Sequence, residues 1–135
     1  SFPPAEMWKG DSVQIGLQAG KPKSLAERAK FTEYTIGLTP EGGKAWRTGS
    51  RSGNNPEQNL RDVPLQIVRR GTLTRYTLTL TAHELGLRAF RPGDSMRLAL
   101  VVNDNDGAGR KGYLHWADGI GVNKNPEEFN TIVLK

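Results

Sequence analysis

Val101-Val-Asn-Asp-Asn-Asp-Gly-Ala-Gly-Arg-Lys-Gly-Tyr-Leu-His-Trp116 reads as an apolar strand, a polar turn and an aromatic-bearing strand. That order marks an all-β domain. The turn is rich in Asn and Asp, a composition suited to holding a cation or to ordering the turn itself.

Working outward, period-two alternation recurs where a helical period does not. Ser95 to Val102 sets Met96, Leu98, Leu100 and Val102 against Arg97, Ala99 and Val101. Val13, Ile15 and Leu17 alternate with Ser12, Gln14 and Gly16, and Tyr34, Ile36 and Leu38 with Glu33, Thr35 and Gly37. Thr39 to Gly43 has turn chemistry, and a short strand at 44–48 completes a hairpin. Strands are expected near 63–70 and 72–81, the second with Tyr76, Leu78 and Leu80 on one side and Arg75, Thr77 and Thr79 on the other. Two more are expected near 110–116 and 129–134. Single helical turns are expected at 25–29 and at 82–87, the latter ended by Gly86. Residues 49–60 form the longest polar loop. About eight strands at this spacing predict an antiparallel β-sandwich, jelly-roll-like, as one domain over 1–135.

Composition narrows the function classes. The chain has 135 residues, enough for one core. Sixteen glycines and eight prolines exceed the usual share by about one half, as a turn-rich β domain requires. No run approaches the ~18 apolar residues that span a bilayer, so no membrane insertion is expected. The first residue is Ser rather than Met, the mark of a processed product or a piece of a longer polypeptide. A net charge of +5 is too dispersed to imply specific nucleic-acid binding, and Arg69-Arg70 and Arg110-Lys111 read first as solvated turns. The absence of cysteine excludes disulfides, Fe–S clusters and a thiol nucleophile, but not secretion.

Catalysis finds little support. His83-Glu84 lacks the second histidine of a zinc-protease helix, and no Gly-x-Ser-x-Gly elbow is present. The carboxylates Asp11, Glu33, Asp62 and Asp94 fall on separate elements. A haem would need axial ligands from Met7, Met96, His83 or His115, yet Met96 belongs to an apolar alternation. The chain is expected not to be an enzyme.

Four blocks carry a resemblance. They are Trp8-Lys-Gly-Asp-Ser-Val-Gln-Ile-Gly-Leu17, Glu33-Tyr-Thr-Ile-Gly-Leu-Thr-Pro-Glu-Gly42, Val101-Val-Asn-Asp-Asn-Asp106 with Gly109-Arg110 and Trp116, and Pro126-Glu-Glu-Phe-Asn-Thr-Ile-Val-Leu134. In this order, over almost the whole chain, they resemble the carbohydrate-binding module family 9 and its DOMON-like relatives. The resemblance implies a β-sandwich, typically appended to secreted bacterial enzymes that degrade polysaccharides, with sugar binding and structural calcium in many members. Two departures stand out. Members usually begin with several strands before the block that matches Trp8, so a second polypeptide segment or a homodimer is expected to supply the missing pairing. Sugar-binding members also hold a terminal sugar between two tryptophans. The second position falls here among Gly121-Val-Asn-Lys-Asn125, without an aromatic, and Gln14 replaces the acidic residue that often follows the first Trp.

The candidate sites follow. Trp8 is a stacking platform for a sugar ring, or else a lid over the end of the sandwich. Trp46 is a second platform beside the long loop, whereas Trp116, alternating with Leu114, is expected in the core. Gln14, Thr35, Arg75, Thr77 and Arg97 are read as a polar sheet face able to hydrogen-bond hydroxyls, sulfate or uronate, with plain solvent exposure as the alternative. Asn103, Asp104, Asn105 and Asp106 are candidate Ca²⁺ ligands, though not an EF-hand: counting from Asp104, the twelfth position is His115 where a Glu is required. The expected function is non-catalytic binding of a polysaccharide or oligosaccharide, tethering an appended glycoside hydrolase, lyase or surface protein outside the cell. The alternative is an interaction module that completes a β-sheet with a partner chain or a second copy.

Overall fold

The computed structural model describes residues 2–49 and 59–135. The chain is an antiparallel β-sandwich. Its larger sheet holds seven strands: β1 (Ser12–Ala19), β2 (Thr32–Thr39), β3 (Gly42–Gly49), β4 (Leu60–Arg61), β7 (Ser95–Asp104), β8 (Gly112–Trp116) and β9 (Asn130–Val133). They run in the order β4-β3-β2-β1-β7-β8, and β9 continues the line of β8 along the first half of β7. The second sheet is a hairpin of β5 (Leu65–Arg70) and β6 (Leu73–Leu78). A four-residue helix, α1 (Leu25–Arg28), is capped by Ser24, whose Oγ accepts from the Glu27 amide. The turn expected at 82–87 is a 3-10 helix, His83–Leu85, closed by Gly86 at φ +71. The expected polar loop falls, over 50–58, outside the described residues.

Register decides which side chains share a face. Ile15 pairs with Tyr34 and Leu100, and Val13 with Ile36 and Val102. The inner face therefore carries Val13, Ile15, Leu17, Tyr34, Ile36 and Ala45. The hairpin covers this half through Leu65, Tyr76 and Leu78. Leu17, Leu85 and Met96 form an adjoining cluster with Leu87, Ile132 and Leu134. Burying such a side chain contributes about 1.5–3 kcal/mol.

An ionic hub ties the 82–87 turn to this core. Glu84 accepts from the Tyr34 hydroxyl at 2.7 Å and from Arg61 Nε at 3.2 Å, with Arg61 Nη2 on its other oxygen and Arg47 Nη1 at 3.4 Å. The Arg61 hydrogen bonds, aided by the Tyr34 bond and the two guanidinium charges, hold the Glu84 carboxyl below the ordinary carboxylate value against the opposing effect of burial. Burial first, then the Glu84 hydrogen bond, push the Tyr34 phenol upward.

The opposite face departs from expectation. Ser12, Gln14, Glu33 and Thr35, read as the solvent side, are buried, as are Ala99 and Val101. Two segments cover this face: the Pro4–Lys9 helix, whose Met7 sulfur lies 3.5 Å from the place a Cβ on Gly37 would take beside Ser12, and the 117–129 segment, which folds back so that Ile120 and Phe129 pack on Phe31, Ala99 and Val101. Gly16 makes room for it: a Cβ there would stand 2.6 Å from Phe129 Cζ and 2.8 Å from Ile120 Cδ1. Trp116 departs the other way. It was expected in the core and is 46% exposed, because no described element covers its end of the inner face.

Candidate ligand-binding face

Trp8 owes its position to the 3-10 helix Pro4–Lys9, which starts with Pro at N1 and closes with the Gly10 amide on Met7 O at 2.9 Å. Met7 is buried, so the next residue, about 120° round a three-residue turn, points outward. Trp8 is 40% exposed. The Arg110 guanidinium lies beside it, 5.8 Å from the Trp8 ring centre and 4.4 Å from that of Tyr113, and Lys9 Nζ is 5.6 Å from Trp8. Both rings offer a negative π face to the cation. Within this stack Arg110 Nε and Nη2 are buried and meet no hydrogen-bond acceptor among the described residues.

Tyr113 pairs with Asn103 across β8 and β7, which brings the stack to the edge of a polar network. Asn103 Nδ2 donates to Ser12 Oγ at 3.1 Å and to Gln14 Oε1 at 3.0 Å, and Gln14 Nε2 donates to Glu33 Oε1 at 2.8 Å. Lys124, reaching in from the covering segment, donates to both Glu33 oxygens at 2.9 and 2.8 Å. The Glu33 side chain is 4% exposed and the Lys124 side chain 53%, so this pair joins the interior of the face to its rim. Asn103 Oδ1 is buried without a donor among the described residues. The Trp8 platform and the two unpartnered Arg110 N–H groups thus lie together, with Asn103 further in, beside Tyr113. The set suits a ligand with an apolar CH face and groups that both donate and accept.

The residues singled out by sequence fall in several places. Trp8 and Gln14 belong to this constellation, Gln14 as a buried network member rather than a surface group. Thr35 is buried beside half-buried Trp46, its partner across β2 and β3. Arg97 lies at the other end of the face, where Nη1 donates to Gln18 Oε1 at 3.4 Å and Pro126 O at 3.5 Å. Gln18 in turn donates to the carbonyls of Arg28 and Lys30 at 2.9 Å each, so both residues pin covering segments to the sheet. Arg75 and Thr77 are exposed on the outer side of β6, opposite Tyr76, and thus on the far side of the sandwich.

The Asn103 to Asp106 cluster does not converge on one point. Asn103 faces the polar network, and Asp104, the next residue on β7, takes the opposite side. Asn105 Oδ1 accepts from the amides of Gly107 at 2.7 Å and Gly109 at 3.3 Å, while its Nδ2 donates to Lys9 O at 2.6 Å. The Asn105 amide donates to Asp11 Oδ1 at 2.9 Å, and Asp106 pairs with Lys111. Asn105 therefore orders the turn and fastens it to the segment that carries Trp8.

Sequence reading missed Arg110, Tyr113 and Lys124. Arg110 reads as turn charge because its two ring partners are brought to it by different segments. Tyr113 leaves a faint signal, sharing the period-two side of His115. Comparison with protein-family models, with curated proteins and with solved structures found no match.

Proposed function

We propose that the chain is a non-catalytic carbohydrate-binding module that tethers an appended enzyme or surface protein to a polysaccharide. The observation that carries this reading is the exposed Trp8 ring set beside Arg110, whose Nε and Nη2 atoms lack partners among the described residues. A pyranose stacks its CH groups on an indole and presents hydroxyls that donate and accept at once. An extracellular setting accompanies this reading through the family resemblance, whereas Asn105 and Asp106 are already engaged within the turn, with Gly107, Gly109, Lys9 and Lys111.

Affinity electrophoresis against neutral and acidic polysaccharides tests it. Retardation by at least one glycan, lost in Trp8→Ala, is expected. A folded protein that no glycan retards discards the reading.

A further inference from the structure

The second sheet is only the β5–β6 hairpin, and Leu80, Leu85 and Leu87 cover Leu17, Met96 and Leu98, so the inner face over the second half of β7 and over β8 has no second layer among the described residues. β5 lies over β3, where Leu65 and Ile67 come within 3.5 Å of the place a Cβ on Gly43 would take. β6 lies further in, with Tyr76 and Leu78 over Val13 and Ile15. The outer edge of β6 pairs with no described strand and looks toward β7 and β8. On that side Leu100 stands opposite Trp116, and Val102 opposite Leu114. Through the pairing with β1, all four share the face of Val13 and Ile15. None of them packs into the three core clusters, and Leu114 is 78% exposed. A lone exposed leucine means little, but four cross-strand apolar residues beside an open strand edge form an interaction surface.

We propose that this shelf seats an added layer of β-strand: a hairpin or single strand from a polypeptide segment other than residues 1–135, hydrogen-bonded to β6 and laying alternate apolar side chains on Leu100, Val102, Leu114 and Trp116. The unpaired amides and carbonyls of β6 select extended backbone, as in strand addition generally. The shelf is two strands wide, so at a spacing of about 4.8 Å two added strands fill it. Its length matches β6, with six residues, and β8, with five. Charge adds a preference. Residues 63–82 contain Arg69, Arg70 and Arg75 and no acidic residue, so the occupant carries Glu or Asp at its solvent-facing positions. A second copy presents the same three arginines and no acidic residue along its own hairpin, so it lacks the complementary charge.

The test uses the isotopically labelled chain titrated with a capped synthetic peptide alternating valine and glutamate over about six residues, a typical strand length, and with a scrambled peptide of the same composition. Amide shifts confined to residues 73–78 together with shifts at Leu114 and the Trp116 indole are expected with the alternating peptide. Leu114→Asp, at a surface position that leaves the core intact, should weaken that binding by about tenfold or more. Three results overturn the proposal: no shifts at about millimolar peptide, shifts that Leu114→Asp leaves unchanged, or light scattering that finds a dimer dissolved by Leu114→Asp, which would make a second copy the occupant.

Discussion

Asn103 donates to Gln14 Oε1 at 3.0 Å, and through Gln14 the central strands β7, β1 and β2 share one buried hydrogen-bond chain that ends on Glu33. Polar groups buried in this way are stabilising only while each keeps its partner. Gln14→Ala strips an acceptor from Asn103 and a donor from Glu33. The variant should lose about 2–3 kcal/mol in urea unfolding, with an unchanged m-value showing that compactness is preserved.

The Glu84 hub predicts an acid-labile core. The folded carboxyl is held below its ordinary value of 4.5, so its contribution is fully present above that pH and is lost as pH falls through the lower folded value. Glu84→Gln should cost about 3 kcal/mol near neutral pH, because it leaves Arg61 and Arg47 facing a neutral amide. The gap between variant and parent should close below about pH 4, as read from urea midpoints measured across the acid range. Tyr34 acts at the other end. Its phenol is raised above the ordinary 10.0, so stability should fall as pH rises beyond that value.

Gly16 permits the 117–129 segment to lie on the sheet. Gly16→Ala places a methyl 2.6 Å from the Phe129 ring, which must then withdraw. Overpacking of this kind costs about 1–3 kcal/mol. Hydrogen exchange should show the loss concentrated at Ile120 to Phe129, and with it a loosening of Lys124 from Glu33.

Much of the fold was legible because alternation survives wherever one face is buried. The strands β1, β2, β6 and β7 lie close to where period two puts them, and Gly86 ends the turn as expected. The error lay in assuming a single buried face. On β7, Ala99 and Val101 are as apolar as Leu98 and Leu100, a pattern that fits a strand covered on both sides. Whether a second layer exists is a tertiary fact, which is why alternation alone puts Trp116 in the core and Gln14 at the surface. The candidate site was half legible. Trp8 stands out by residue type, whereas Arg110 gains its role only when Trp8 and Tyr113, far apart in sequence, close around it.

Asn105 separates turn ordering from metal binding. Asn105→Ala removes the acceptor for two glycine amides and the tether to Lys9. It should lower stability by about 1–2 kcal/mol even in EDTA, where no cation contributes. A parent protein already destabilised by EDTA, with no further loss in the variant, would instead assign the cluster to calcium.

The proposed glycan site is the stack of Trp8, Arg110 and Tyr113. Chemical-shift mapping of the labelled chain with an oligosaccharide from a retained polysaccharide tests it most directly. Shifts concentrated at the Trp8 indole, the Arg110 Nε–H, the Asn103 carboxamide and Tyr113, all abolished in Trp8→Ala, are expected. Shifts centred instead on Arg75 and Thr77, or none with any oligosaccharide, would contradict it.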